Sequence, residues 1–169
     1  AAGLSFQVAS QCHRLGQVHR AQGALDAELE TYHRALEITA VPGRPPLPAA
    51  GIPYVGMAEV AYLRGDLDTA MRHITGGIVL CRQLAYTQPL ATGLADLAWI
   101  RQAQGDPAGA LEAITEATEV APGSEVVDLL NPVPASRARL LLVQGDVDAA
   151  AAWTVERGLD ADDEPRYMR

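Results

Sequence analysis

Apolar side chains return every three or four positions along most of this chain, the spacing that lines one face of an α-helix. Leu67, Ala70, Met71, Ile74, Ile78 and Cys81 form such a stripe, with Asp68, Arg72, His73 and Arg82 on the other face. Leu111, Ile114, Ala117 and Val120 form another, opposite Glu112, Glu116 and Glu119. Each stripe is expected to be the core-facing side of an amphipathic helix.

The stripes are broken at regular places by one kind of corner. "RGDLDTA" places a glycine at Gly65, "QGDPAGA" at Gly105, "QGDVDAA" at Gly145, and a weaker "QGALDAE" at Gly23. A glycine just past a helix can take the left-handed conformation that ends it. The aspartate after it (Asp66, Asp106 or Asp146) supplies an N-cap for the next helix, and Pro107 suits a first helical position. The intervals of 42, 40 and 40 residues predict an array of helix pairs, each burying its apolar face on its neighbours.

Positions counted from the corner glycine share a logic. Seven residues before it stand Gly16, Ala58, Ala98 and Ala138, small in every unit, as a close helix contact requires. Five after it come Glu28, Ala70, Ala110 and Ala150, small in three of the four; nine after it come Tyr32, Ile74, Ile114 and Thr154. Small contacts alternate with bulky plugs. "VPGRPPLPAAGIP" carries Pro42, Pro45, Pro46, Pro48 and Pro53, too many for a helix, and predicts an extended loop between units one and two. "APGSEVVDLLNPVP" separates units three and four, with Asn131 as a cap ahead of Pro132. The fourth unit is the least regular, with Arg137, Thr154 and Arg157 at positions that are small or apolar elsewhere.

The expected fold is all-α: a right-handed superhelix of antiparallel helix pairs forming one domain over residues 1–169, with units at about 4–41, 50–86, 88–122 and 131–160. Composition agrees, since alanine dominates and aromatic residues make up only 5%, which favours close helix packing over a β-sandwich. The net charge of −8, with arginine as the only strongly basic residue and no basic stripe, excludes direct nucleic-acid contact or an anionic membrane surface as the expected role. With neither a signal peptide nor a long apolar run, the expected location is cytoplasmic. Cys12 and Cys81 fall on helices of different units and are expected as buried, reduced thiols. A chain that starts without methionine and stops at "DDEPRYMR" is expected to be a piece of a larger protein.

Leu15-Gly16, the Gly-Asp corners, the alanine five residues after the corner glycine and Pro122 closing unit three together resemble tetratricopeptide repeats, although the period exceeds the common 34 residues. Over about Leu15 to Arg169, long units such as "AGIPYVGMAEVAYLRGDLDTAMRHITGGIVLCRQ" and "GLADLAWIRQAQGDPAGALEAITEA" resemble the C-terminal helical region of MalT-like regulators, the large ATP-dependent members of the LuxR family. In that family a nucleotide-binding module precedes the repeats and a helix-turn-helix follows them. The resemblance implies a region that senses a small-molecule inducer or partner protein and controls self-association and transcription activation. No phosphate loop or basic recognition helix stands in this chain, so it is not expected to cradle a triphosphate or to hold a cofactor, and ATP is expected in a missing N-terminal module.

In tetratricopeptide-like arrays the first helices of successive units line a concave face. Here that face would carry His13, Gln17 and Arg20 from unit one, Glu59 and Tyr62 from unit two, Trp99 and Gln102 from unit three, and Arg139 from unit four. Aromatic and hydrogen-bonding groups together suit a ligand surface. The histidines and cysteines lack metal-ligand spacing: Cys12 and His13 are adjacent and point about 100° apart on a helix. "DADDE", Asp160 to Glu164, lacks the glycine and ligand alternation of a calcium loop. No nucleophile motif is present, so the expectation is a non-enzyme. A free-standing adaptor for a partner peptide is the alternative, and a helical-repeat enzyme using Glu59 or His13 a further one. Trp153 and Val155 in the last helix are expected to leave apolar surface through which copies self-associate.

Overall fold

The computed structural model of the chain describes residues 2–85, 87–120, 133–156 and 158. Eight α-helices and no strand occur among them: α1 (Ala2–Ala21), α2 (Leu25–Thr39), α3 (Gly51–Leu63), α4 (Leu67–Cys81), α5 (Gln88–Ala103), α6 (Pro107–Val120), α7 (Val133–Val143) and α8 (Val147–Glu156). Pro122, the Asn131 cap before Pro132, Arg157 and the acidic run Asp160 to Glu164 lie outside the described residues.

The four corners are built alike. Gly23, Gly65, Gly105 and Gly145 all lie at φ between 72° and 87°, a region open to glycine and strained for other residues. The next backbone N–H bonds back five residues to close the finished helix: Ala24 to His19, Asp66 to Ala61, Asp106 to Arg101 and Asp146 to Leu141, at 2.9 to 3.0 Å. The same aspartates then open the next helix. Their carboxylates accept from the backbone N–H of Thr69 at 3.0 Å, Gly109 at 2.9 Å and Ala149 at 3.1 Å. One residue therefore ends one helix with its backbone and starts another with its side chain. The first corner has Ala24 in that place and no side-chain cap.

Helices joined by a corner pack as pairs, and each second helix packs on the first helix of the next pair. First helices also meet one another, α1 on α3, α3 on α5 and α5 on α7, whereas α2, α4, α6 and α8 have no such mutual packing. The first helices thus form the inner layer, and the array curves towards them.

The repeated small positions are the places where helices approach closely. Ala58, Ala98 and Ala138 before the corners and Ala70, Ala110 and Ala150 after them are buried, and Ile74 and Ile114 plug the space between pairs. A continuous core runs through Val55, Ile78, Leu94, Ile100 and Leu140. Leu111, at the margin of its stripe, is 39% exposed because the stripe is wider than the seam it covers. Burial pushes the Cys81 thiol up to about 12, and Cys12 is only half-buried; both are free. The proline-rich segment departs from an all-loop reading: Pro48 opens a 3-10 turn over Pro48–Ala50, and Pro53 sits in the first turn of α3. A first-turn N–H has no partner within the helix, so proline costs nothing there.

The first pair has its own chemistry. Tyr32 takes the place of Ile74 and Ile114, and its ring fits only because glycines face it from both sides. A methyl group on Gly16 or Gly56 would overlap the phenol ring. Gly16 fits the small-contact rule; Gly56, nine residues before its corner, adds a second one.

Candidate functional site

Side chains six and three residues before each corner glycine stand one helical turn apart on the same face of the inner helices. The row six before consists of Gln17, Glu59, Trp99 and Arg139, and the row three before begins Arg20, Tyr62, Gln102. His13 lies one turn earlier on α1.

The first two pairs draw His13, Gln17, Arg20 and Glu59 into one polar cluster around a buried carboxylate. Arg20 Nε donates to both oxygens of Glu28, at 3.1 and 3.2 Å, and its terminal nitrogens form ion pairs with Glu28 and Glu59. Glu28 is fully buried and also accepts from the Tyr32 hydroxyl at 2.9 Å. Burial, and then Glu28, raise the Tyr32 pKa well above the ordinary phenol range. His13 stacks on Tyr32, with ring centroids 6.1 Å apart and planes 26° from parallel. Burial foremost, and then the Arg20 charge, hold its pKa at about 4, so the ring is neutral at pH 7. The exposed Gln17 lies with its amide nitrogen 3.2 Å from His13 Nε2. If that nitrogen donates, His13 carries its proton on Nδ1, which is buried and unpartnered.

The second half of the row is held differently. The Arg139 guanidinium lies over the Trp99 ring, 5.4 Å from its centroid. Gln102 accepts from Gln144 Nε2 at 2.9 Å, and the same nitrogen donates to the Pro107 carbonyl at 3.0 Å. Tyr62 and Trp99 are half-buried and rest on the core with part of their rings. Gln102 is therefore engaged within the array, while Gln17 and Arg139 remain exposed.

Two acidic residues matter here that helical spacing alone does not pick out. Glu28 appears only as the odd member of a row of alanines. Asp96 stands on α5 one turn before Trp99, on the same face, and its Oδ2 is sealed from solvent with no hydrogen-bond partner. Burial raises its pKa to about 7, and the Arg20 charge works against that rise. A signal for Asp96 exists in the sequence: it is a lone carboxylate inside "GLADLAWI", with no basic residue within one turn.

Among the described residues no group of three His, Cys, Asp or Glu is arranged to hold a metal ion. A separate hollow of about 170 Å³ lies away from the inner row, between the end of α2, the proline-rich loop and α3, with Leu36, Thr39, Arg44, Leu47 and Tyr54 on its walls. No helix of the described residues is long and apolar enough to cross a membrane.

This architecture is that of the TPR-like repeat proteins. The chain is similar to the crystal structure of a kinesin light chain candidate from Podosopora anserina with nearly identical TPR-like repeats, at 16% identity and a TM-score of 0.65, covering 95% of this chain and 80% of that one. The Q17M form of that protein gives 16% identity and a TM-score of 0.62, covering 90% and 73%. No curated protein matches the chain. Within the class the assignment is sharper: residues 4–169 match the MalT-like TPR region, and the chain belongs to that family.

Proposed function

We propose that this chain is the ligand-sensing and protein-interaction repeat region of a LuxR-type, MalT-like transcriptional regulator, without catalysis of its own. A small-molecule inducer or partner protein binds the inner face of the array, and binding is coupled to self-association and transcription activation in the cytoplasm. ATP, and any hydrolysis of it, belongs to a nucleotide-binding module N-terminal to the repeats, and DNA contact to a helix-turn-helix after them. Membership of the MalT-like family supports the regulatory setting.

The observation that carries the ligand reading is the inner row itself: Glu59, Trp99 and Arg139 from three successive pairs, beside an Asp96 oxygen without a partner. Polar and aromatic groups converging on a concave surface give a ligand both orientation and contact area. A ligand shifts a switch only by binding two states with different affinity. One that bridges inner helices of different pairs favours the curvature that brings them together, and so biases how the array presents its ends. The C-terminal pair supplies the self-association surface, where Val155 on α8 is 78% exposed.

The test is a thermal-shift screen of small metabolites on the chain, repeated on Trp99→Ala, with the mass of each complex followed by light scattering. Stabilising ligands that lose their effect in Trp99→Ala and change the mass support the proposal. Ligands that act equally on both proteins contradict it.

A further inference from the structure

Charge is unbalanced at the N-terminal half of the inner face. Arg20 is the one strongly basic group in a cluster that holds the carboxylates of Glu28 and Glu59 directly and lies within electrostatic reach of Asp96. His13 is neutral there and contributes no charge. Glu28 and Glu59 already occupy the guanidinium. Asp96 feels its field yet receives no hydrogen bond at Oδ2. Of the helices packed on α5, α3 contributes Glu59 and α7 contributes Arg139. From α4, Ile74 and Ile78 face Gly93, and from α6 the apolar Ala110 and Ile114 enter the same core. Arg139 is the one cation these helices bring, and it lies over the Trp99 ring and leaves Asp96 Oδ2 without a partner.

Resting on the reading of the inner face as a ligand surface, we infer that the site at Asp96 binds an organic cation, an ammonium or guanidinium group, with Glu59 and Trp99 beside it. Asp96 is only half-buried as a residue, so its carboxylate can turn an oxygen to an N–H donor arriving at the inner face. The donor brings this third carboxylate its counter-charge, and charge-assisted hydrogen bonds of this kind are the strong ones. Trp99 adds an aromatic face, which attracts cations as it already attracts Arg139. A metal ion fits less well, because the described residues offer no three-ligand cluster. Organic cations reach such a site as free amines or as lysine and arginine side chains of a protein segment.

Trp99 is the reporter. In a Trp153→Phe background, its fluorescence is followed at pH 8 against n-butylammonium, n-butylguanidinium and a Gly-Gly-Lys-Gly-Gly peptide, with n-butanol and n-butyrate as neutral and anionic analogues. Saturable change with at least one cation, none with the analogues, and loss in Asp96→Asn is the expected result. Saturation by the peptide alone assigns the cation to a protein partner, and saturation by the small cations alone assigns it to a metabolite. Binding about tenfold weaker at pH 6 than at pH 8 is expected from a carboxyl titrating near 7, and this profile needs no substitution at Asp96. Cation binding that Asp96→Asn leaves intact, or that ignores pH, overturns the inference. Saturation by butanol or butyrate without the cations overturns it too but leaves the ligand surface standing; silence from every probe removes both.

Discussion

The Tyr32 hydroxyl donates to the Glu28 carboxylate at 2.9 Å, one helical turn away on α2 and out of reach of water. In the second and third pairs the same two places hold Ala70 with Ile74 and Ala110 with Ile114. The first pair has thus exchanged an apolar plug for a hydrogen-bonded one, and the exchange requires Arg20 to neutralise Glu28 and glycines at 16 and 56 to admit the ring. These five residues form one unit.

Removing one charge from that unit is therefore expected to do more harm than replacing the unit. Arg20→Ala leaves Glu28 buried without its cation and is expected to destabilise the chain by about 3 to 5 kcal/mol in urea unfolding. Copying the second pair with Glu28→Ala, Tyr32→Ile and Gly16→Ala is expected to stay within about 1.5 kcal/mol of the parent, because no buried charge is left unpaired and the methyl at position 16 offsets part of the volume lost at Tyr32. A copy as unstable as Arg20→Ala would contradict this account of the cluster.

Stability should depend on pH through two opposing groups. Asp96 has its folded pKa raised from 3.8 to about 7, so its protonated form stabilises the fold below about 4, and that contribution is lost as pH rises through 7. His13 has its folded pKa lowered from 6.5 to about 4, so its contribution is complete above 6.5 and is lost as pH falls through 4. Between these limits the two slopes offset each other in the parent. Asp96→Asn is expected to unmask the acid sensitivity of His13 and to raise stability at pH 8 relative to pH 5 by about 2 to 4 kcal/mol, read from denaturation midpoints at the two pH values. Equal effects at both would show that Asp96 is solvated.

Ala24 at the first corner has backbone angles of φ −90° and ψ 62°, close to the −85° and 78° of Asp66, and lacks a capping side chain. Ala24→Asp is expected to gain about 0.5 to 1 kcal/mol by capping α2, whereas Asp66→Ala is expected to lose about 1 kcal/mol. Paired thermal melts check both signs; a loss in Ala24→Asp would mean that nearby Glu28 repels the new carboxylate more than the cap stabilises.

The two thiols should react at very different rates. Cys81 is buried with its pKa pushed up to about 12, so its nucleophilic thiolate is scarce at neutral pH, while Cys12 is half-buried on α1. Native-state labelling with iodoacetamide at pH 7.5, followed by peptide mass mapping, is expected to modify Cys12 well before Cys81. Equal labelling would require α3 and α4 to separate readily.

The corners and helix pairs were legible in the sequence because they depend on local chemistry: a glycine that tolerates positive φ, an aspartate that caps, and apolar residues at helical spacing. The small-residue rows were legible for the same reason, and their one exception, Glu28, marked the modified first pair. Its link to Arg20 was not, because that contact spans a corner and is fixed by how α1 and α2 pack. Asp96 was hidden further still. Its burial and its exposure to the Arg20 field arise from helices of three different pairs, and no spacing along one helix encodes that meeting. The inner row of Gln17, Glu59, Trp99 and Arg139 could be read as a row, but the pairing of Arg139 with Trp99 and of Gln102 with Gln144 needed the fold.

The most direct test of the inner face as the binding surface is amide hydrogen exchange on the chain with and without the strongest stabiliser from the thermal-shift screen. Binding at the inner face is expected to add protection in α1, α3 and α5 around Arg20, Glu59 and Asp96, with α2, α4 and α6 changed little. Protection centred instead on the end of α2 and the proline-rich loop, around Thr39 and Leu47, would contradict it and place binding in the outer hollow.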